Sequence, residues 1–200
     1  MPDWERNSPR LAANLRAAMA QVRKDAQRRV KPDLALARDW HSLTMQGLAV
    51  PKPAYIRNFR GEAGLEKFEV LIDRQFGVPA RSVRTALKQF ERELQRRVSR
   101  LDQAIAPKAF LTGPQLGAVI ELCAWVHAEW IRIHPFANGN GRTARIWTNF
   151  FAMRYGLPPF VRLRPRPNHG YEAAGAKAMR GDWKPTARSF KSMLKELLSR

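Results

Sequence analysis

Apolar residues recur every three to four positions through most of the chain, which is typical of amphipathic α-helices. A first helix is predicted to begin at Ser8 and Pro9, which are typical of an N-cap and a first helical position. Its apolar face comprises Leu11, Leu15, Met19 and Val22. The clearest helix starts at Ser82, with Lys and Arg opposite an apolar face of Val83, Leu87, Phe90, Leu94 and Val98.

Five more helices are predicted from the same spacing, and several end at glycine or before proline. They cover about residues 33–46, 113–133, 142–155, 169–180 and 185–198. The first of these is predicted to place Leu36, Trp40 and Leu43 on one face and to end at Gly47. The last is predicted to bury Phe190, Leu194 and either Leu197 or Leu198.

Two segments depart from the helical pattern. Residues 48–61 are punctuated by proline and are predicted to be a loop. Residues 67–79 have strand propensity and are long enough for one short hairpin. The predicted fold class is therefore all-α with a small β-hairpin. We expect one domain over residues 1–200, with N-terminal helices in 1–50, a central part in 51–165 and C-terminal helices in 166–200.

The composition favours a globular protein, because 44% of the residues are hydrophobic and six are tryptophan. Apolar runs stay well short of the ~20 residues that a membrane span needs. The first ten residues lack the apolar core of a signal peptide, so a cytoplasmic location is expected and no membrane partner. Cys123, the single cysteine, is predicted to be a buried structural thiol. No metal-ligand spacing of histidine and cysteine is present, so no structural zinc is expected.

The charge is strongly positive, with 36 basic and 17 acidic residues and a formal net charge of +19. Such a charge attracts polyanions, including nucleic acid, nucleotide phosphates and acidic proteins. The basic residues are scattered along the chain, and no zinc-finger or RNP pattern is present. Non-specific binding to nucleic acid is a candidate property, but the charge alone assigns no function.

Candidate chemistry is concentrated in HPFANGNGRTAR, from His134 to Arg145, which follows a long apolar helix. The imidazole of His134 has an ordinary pKa of about 6.5, which suits a proton acceptor near neutral pH. Gly139 and Gly141 allow backbone angles that other residues avoid. A glycine-containing loop that leads into a helix N-terminus is a natural anion site, since free amides and the helix dipole favour negative charge.

Arg142 and Arg145 reinforce this interpretation. They are three residues apart and share one face of the first helical turn. Cations at a helix N-terminus oppose the dipole, and a bound polyphosphate would remove that conflict. Glycine turns, arginines at helix starts and lone histidines are each more often structural. Their combination within twelve residues favours a base beside a phosphate-binding loop over a simple turn between helices.

The segment resembles the Fic family signature, HPFx(D/E)GNGRxxR, at every specified position except the fifth, where Asn138 replaces the acidic residue. The preceding helix, the region from FRG to GVP and a C-terminal GDW also resemble Fic segments. The resemblance implies the all-α Fic fold. It also implies transfer of AMP from ATP to a Ser, Thr or Tyr hydroxyl of a protein substrate.

The resemblance also implies roles for individual residues. His134 would be the general base, and Arg142 and Arg145 would bind the β- and γ-phosphates. The α- and β-phosphates would lie against Gly139, Asn140 and Gly141. The hairpin, at about residues 65–79, would be a flap that positions the target by strand addition. The family's acidic residue binds Mg²⁺, so Asn138 is expected to be a weaker metal ligand, because an amide oxygen lacks the negative charge.

Other functions are consistent with the same residues. Related proteins transfer phosphoryl or phosphocholine groups, and the loss of the acidic residue is also consistent with a catalytically weak Fic protein. A basic nucleic-acid-associated domain, in which the motif only folds a turn, is an alternative from another class. Ser192 and Glu196 have the spacing of the family's inhibitory (S/T)xxxE(G/N) motif, but Leu197 does not match. That spacing is expected to be coincidental, which would leave inhibition to a small antitoxin or to nothing.

Three further histidines lie outside this segment. His41 is predicted to lie on a helix face beside Trp40, and His127 to lie in the core or behind the site. His169 is predicted to be exposed. None of the three is expected to be a site residue.

Overall fold

The computed structural model describes residues 8–72, 75–167 and 170–199. Regular structure in these ranges consists of helices and one two-stranded hairpin. The helices are α1 (Pro9–Gln27), α2 (Leu34–Met45), α3 (Ala80–Ala104), α4 (Gly113–Ile133), α5 (Asn140–Arg154), α6 (Tyr171–Ala178) and α7 (Lys184–Leu198), with a 3₁₀ turn at Pro53–Tyr55. The strands are β1 (Leu71–Ile72) and β2 (Gln75–Phe76). The predicted all-α class with a small hairpin is confirmed.

Helices α4 and α5 form the centre of the fold. They pack against each other, α4 also contacts α3, α6 and α7, and α5 contacts α1 and α2. An apolar core extends continuously from α1 to α7. Because partners surround α4 and α5, both are buried on most faces, and their sequences lack a sharply polar side.

Aromatic side chains fill the middle of this core. Trp40 of α2 meets Trp147 of α5 edge to face, with ring centroids 4.8 Å apart. The Trp40 indole also donates to buried Asp25 at 2.9 Å. Phe136, from the segment between α4 and α5, is fully buried and packs against Trp130. The His134–Arg145 motif is therefore anchored in the core at its third position.

Helices α1, α2 and α4 begin at local side-chain N-caps, whereas the start of α3 is bonded by a more distant side chain. The Ser8 hydroxyl accepts a hydrogen bond from the Leu11 amide at 3.3 Å, which confirms the predicted N-cap of α1. Thr112 and Gln115 form a capping box at α4. Helix α3 starts at Ala80, two residues before the predicted Ser82. The Ala80 amide donates to the Glu69 carboxylate at 3.0 Å, and this long-range cap extends the helix.

Two predicted core faces need correction. The buried face of α2 comprises Ala37, Trp40, His41, Thr44 and Met45, whereas Leu36 and Leu43 are only half-buried. This face lies against α1 and α5, which lie on the His41 side of the helix. In α7, Phe190 and Leu194 are buried as predicted, but Leu197 and Leu198 are exposed by 38% and 67% because the last turn extends past the core.

The hairpin is shorter than predicted. Leu71 pairs with Phe76 and Ile72 with Gln75 in an antiparallel register. Phe68 packs against Tyr55 instead of joining a strand. Cys123 is fully buried, as predicted, and His169 lies outside the described residues. Among the helices described, none combines the length and apolar character of a membrane span.

Candidate active site

Helix α4 ends at His134, which has left-handed backbone angles (φ 53°, ψ 56°). Its amide still donates to the Trp130 carbonyl at 2.9 Å, so the residue caps the helix. The imidazole Nδ1 lies 3.2 Å from the Ile131 carbonyl oxygen. A carbonyl can only accept, so Nδ1 carries the proton and Nε2 remains a proton acceptor.

The environment of His134 keeps this imidazole neutral. Burial lowers its pKa to about 4, the hydrogen bond to Ile131 opposes that shift, and the positive charge of Arg60 adds to it. The side chain is nevertheless part of a cavity wall. At neutral pH, His134 is therefore an unprotonated base that a ligand in the cavity can reach.

Residues 134–141, here called the motif loop, are held by the side chain of Asn140. Its amide nitrogen donates to the Phe136 carbonyl at 2.8 Å, and its amide oxygen accepts from the Phe136 amide at 2.9 Å. These groups are all buried, so the pair of bonds satisfies polar atoms that water does not reach. The Asn140 side chain thus fixes the loop, and its backbone amide belongs to the start of α5.

His41, from α2, also holds the motif loop. The sequence predicted only a residue on a helix face and did not predict this role. The ring is fully buried and stacks on Phe136 with centroids 3.7 Å apart. Its Nδ1 accepts from the Arg57 amide at 3.1 Å, so Nε2 carries the proton and donates to the Asn138 carbonyl at 3.0 Å. Burial lowers the pKa of His41 to about 3, which keeps the ring in this neutral form.

The start of α5 presents backbone amides at the cavity. Gly139 has φ 81°, and a Cβ there would lie 3.2 Å from the His41 Nε2. Glycine therefore suits both the backbone angle and the close approach of the ring. The Thr143 amide, which donates to the Gly139 carbonyl, makes the first turn of the helix. The amides of Asn140 and Gly141 precede it and lie where an anion is favoured.

The two motif arginines are buried at this helix start, with 6% and 5% of their surface exposed for Arg142 and Arg145. Arg145 donates to the Tyr171 hydroxyl at 3.3 Å and to the Leu163 carbonyl at 3.0 Å. The described part of the chain puts no carboxylate within ion-pair distance of Arg145. A buried guanidinium with only neutral oxygen partners is prepared for an anionic ligand.

Tyr171 and His127 lie beside Arg145 in the cavity wall. His127 Nε2 lies 2.6 Å from the Tyr171 hydroxyl oxygen, and both side chains are buried. The position of His127 in the core agrees with the sequence prediction. Tyr171 was not predicted as a site residue, because it lies 26 positions from Arg145 and begins a separate helix.

These groups surround a cavity of about 370 Å³. The hairpin forms one wall and α6 another, with the motif loop at the base. The motif residues in the wall are His134, Ala137, Asn138, Gly139, Asn140, Gly141, Arg142 and Arg145, which include every site residue predicted from the sequence. The hairpin contributes Leu71, Ile72 and Gln75, and α6 contributes Tyr171, Glu172, Gly175 and Ala176. The size suits a small phosphorylated ligand.

Asn138 is poorly arranged as a ligand for Mg²⁺. Its side-chain oxygen accepts from the Gly139 amide at 2.5 Å and lies 3.5 Å from a guanidinium nitrogen of Arg142. Hydrogen-bond donors therefore surround the oxygen where a cation would bind. Across the described ranges, no three His, Cys, Asp or Glu residues are grouped closely enough to hold a metal. Because its oxygen already faces two donors and has no negative charge, Asn138 is a poor ligand for Mg²⁺.

The buried histidines predict acid sensitivity of the fold. Burial lowers the pKa of His41 and of His127 to about 3, against 6.5 for an exposed imidazole. Below about pH 6.5 these two imidazoles bind protons in the unfolded chain but stay neutral in the folded chain. The free energy of unfolding therefore has its full value above about pH 6.5 and decreases as the pH falls below it. Each group contributes up to about 1.4 kcal/mol per pH unit. We expect the free energy of unfolding, measured with urea, to fall between pH 7 and pH 5.

Carboxylates titrate mostly below this interval, so the histidines dominate it. A His127→Gln variant should show a shallower pH dependence than the wild type. An unfolding free energy that is equal at pH 7 and pH 5 would contradict the assignment.

A neutral base facing helix-start amides and buried guanidinium groups is the arrangement expected of a site that handles phosphorylated substrates. The scaffold and the site together place the chain in a family: it belongs to the Fic/DOC family, whose sequence profile matches residues 32–152. The resemblance inferred from the motif is confirmed.

Named relatives match the chain in part. The protein adenylyltransferase Fic of Nematostella vectensis is 40% identical over 75 residues, which cover 38% of this chain and 17% of the relative. The protein adenylyltransferase fic-1 of Caenorhabditis elegans is 41% identical over 69 residues, which cover 34% and 13%. The chain thus matches less than a fifth of the length of these relatives.

Solved structures agree in fold over nearly the whole chain. Fic-1 (residues 134–508) from C. elegans superposes with a TM-score of 0.69 at 21% identity and covers 96% of this chain and 50% of that one. A Fic-domain-containing signalling protein from Bacteroides thetaiotaomicron gives a TM-score of 0.66 at 17% identity and covers 95% and 69%. At these identities the similarity establishes the fold.

Proposed function

We propose that this protein transfers AMP from ATP to a Ser, Thr or Tyr hydroxyl of another protein. The observation that carries the proposal is the shared cavity, in which the neutral imidazole of His134 faces the helix-start amides and the buried Arg145. The names of the adenylyltransferase relatives support the same reaction.

In the proposed step, His134 Nε2 accepts the proton of the target hydroxyl. The hydroxyl oxygen forms a bond to the α-phosphorus of ATP, and the bond from that phosphorus to the bridging oxygen of the β-phosphate breaks. Pyrophosphate leaves with the electron pair, and AMP remains on the target as a phosphodiester. The low pKa of His134 ensures the base form before ATP binds, and the phosphate charges raise its pKa once they are close.

The start of α5 would stabilise the negative charge of this step. The amides of Gly139, Asn140 and Gly141 would bind the α- and β-phosphates, where the helix dipole adds to their effect. Arg142 and Arg145 would bind the β- and γ-phosphates and favour the departure of pyrophosphate. The Arg145 contacts with Tyr171 and Leu163 hold its guanidinium in place without neutralising its charge.

The hairpin would position the protein substrate. Its residues Leu71, Ile72 and Gln75 form part of the cavity wall, beside the base. A two-stranded hairpin has outer edges with backbone groups available for pairing, so an extended target segment can add as a further strand. Such docking would place a side chain of the target over the cavity. Because it uses backbone groups, it would depend little on the amino-acid sequence of the target.

ATP carries Mg²⁺ into many phosphoryl-transfer sites, where the ion neutralises phosphate charge. Because the Asn138 oxygen already accepts from Gly139, we assign no step to a protein-held metal. Among the described residues, the cations that line this cavity are Arg142, Arg145 and Arg166.

Asn138→Asp is expected to increase the use of Mg²⁺. One carboxylate oxygen can keep the bond from the Gly139 amide while the other faces a cation, which adds the negative charge that the amide lacks. We expect the Mg²⁺ concentration for half-maximal transfer to fall by about tenfold and the turnover to rise. Binding of Mn²⁺ with ATP, followed by electron paramagnetic resonance, gives a readout that does not depend on turnover.

Asn138→Ala is the matched control, since it removes the Gly139 contact and adds no charge. It should show no gain in metal affinity. Unchanged metal dependence and unchanged or lower turnover in Asn138→Asp would refute the assignment of this position.

The function is tested by incubating the protein with a lysate and ATP that is labelled on either the α- or the γ-phosphate. AMP transfer leaves the α-label on protein and releases pyrophosphate. Transfer of the γ-label with release of ADP would instead identify a phosphotransferase. Labelling with neither position, at metal concentrations that saturate ATP, would contradict the proposal and favour a catalytically inactive Fic protein.

A further inference from the structure

Arg60, in the segment before the hairpin, is a buried cation to which the reaction above assigns no role. Its side chain is 0% exposed. Its Nε donates to the His134 carbonyl at 2.7 Å, and its Nη2 donates to the Ile133 carbonyl at 3.0 Å. These carbonyls lie at the end of α4, where the helix itself offers no donors. Arg60 therefore binds the backbone of the proposed base directly.

The same guanidinium binds both ends of the hairpin. Nη2 donates to the Val78 carbonyl at 2.6 Å, after β2, and Nη1 donates to the Phe68 carbonyl at 3.2 Å, before β1. Nη1 also lies 3.3 Å from the Glu69 carboxylate, which in turn caps α3 at Ala80. Burial lowers the pKa of Arg60, and Glu69 opposes that shift by stabilising the charge.

The remaining contacts in this region bring the hairpin and the base close together. Gly77 lies directly after β2, and a Cβ built there would be 3.0 Å from the His134 Cβ and 3.1 Å from the Arg60 Nη2. The Arg60 amide donates to the Pro135 carbonyl at 2.7 Å, and Phe59 forms a bridge with Phe136. The backbone around Arg60 is thus joined to the residues that follow the base.

We propose that Arg60 is a positioning residue that fixes the base His134 relative to the hairpin that presents the target. Its planar fork of five N–H groups reaches four backbone carbonyls and one carboxylate in different directions, which a lysine ammonium with three donors cannot match. The inference rests on the function proposed above, because it assigns Arg60 to the geometry between hydroxyl and base.

The proposal predicts a separation between binding and transfer. The phosphate-binding part of the motif loop is held by His41 and by the Asn140 side chain, and neither of these side chains bonds to the Arg60 guanidinium. Loss of Arg60 should therefore displace the hairpin from the base and leave the ATP site in place. An error of about 1 Å between reacting groups costs on the order of 100-fold in rate.

Arg60→Gln and Arg60→Lys test this separation in the full chain. We expect kcat for AMP transfer to fall about 100-fold in Arg60→Gln and less in Arg60→Lys, which keeps the charge and some donors. The Kd for ATP should stay within about threefold of the wild type. Hydrogen exchange should rise in residues 68–72, 75–78 and 133–136 and stay unchanged in α1 and α5.

Arg154→Gln is the matched control. Arg154 is likewise buried, donates to a backbone carbonyl, that of Val30, and pairs with Asp102, but it lies at the other end of α5 and bonds to neither the hairpin nor His134. It should leave kcat and the exchange of the hairpin unchanged. If Arg60→Gln does not fold, Glu69→Gln replaces it, because Glu69 is the charged partner of Arg60 and its side chain is 47% exposed.

Three results would overturn the role of Arg60: an unchanged kcat, a parallel loss of ATP affinity, or an exchange increase spread over all helices. The last would indicate a purely structural contribution. A wild-type protein that transfers no AMP would contradict the proposed function instead. In that case, hydrogen exchange and ATP affinity of the variants still test whether Arg60 links the base to the hairpin, because neither measurement requires AMP transfer.

Discussion

His134→Ala should reduce AMP transfer by about 10²–10⁴-fold, the range typical of the loss of a general base. The imidazole Nε2 is the proton acceptor that the Ile131 hydrogen bond leaves unprotonated. ATP affinity should change by less than about threefold, because the phosphate contacts belong to the start of α5. Single-turnover transfer and equilibrium binding of ATP separate the two quantities.

His134→Asn is the matched variant, since asparagine tolerates left-handed backbone angles better than alanine and is not a base. Both variants should lose transfer equally if the loss comes from the chemistry. Activity that survives in His134→Asn and disappears in His134→Ala would show that the backbone angle of this residue matters and its basicity does not.

The pH dependence gives an independent check on the same base. Burial lowers the pKa of His134 to about 4, so the base form is complete from pH 6 upward in the protein without ligand. The value of kcat/KM should therefore be nearly equal at pH 6.0 and pH 7.5. An exposed imidazole, with a pKa of about 6.5, would be mostly protonated at pH 6.0 and would lose most of this rate.

Arg145→Gln should weaken ATP binding by about 10- to 100-fold, the effect of removing one charge-assisted hydrogen bond to phosphate. Its guanidinium is buried at the start of α5 and has neutral oxygens of Tyr171 and Leu163 as partners. Its charge is therefore available to a phosphate, because no described carboxylate pairs with it. Isothermal titration with ATP measures the change in Kd.

Arg154→Gln is the control for this measurement. Arg154 is a similarly buried arginine at the other end of α5, but it pairs with Asp102 at 2.7 Å and donates to the Val30 carbonyl. Its loss should lower the thermal stability and leave the Kd for ATP unchanged. Equal Kd values for the Arg145→Gln variant and the wild type would remove Arg145 from the phosphate site.

The helices were predictable from the sequence because their signals are local. The apolar faces of α1 and α3 repeat every three to four residues, and Ser8 with Pro9 caps α1 as the sequence predicts. The errors occur where a distant partner decides the outcome. Helix α3 starts early because the Glu69 carboxylate accepts from its first amide, and Leu197 is exposed because the last turn of α7 extends past the core that the described residues form.

The residues of the candidate site also divide into those that local sequence predicts and those that only tertiary contacts place. One twelve-residue segment contains His134, the glycines and both arginines. Because they are close in sequence around a helix start, they are also close in space. The sequence alone therefore determined the candidate base and phosphate-binding loop. Only the tertiary structure decided which residues hold that loop. His41 and Arg60 reach the loop from 97 and 74 positions away, and Tyr171 reaches Arg145 from 26 positions away. Their roles depend on hydrogen bonds between distant segments, and such contacts leave no periodicity in a single sequence.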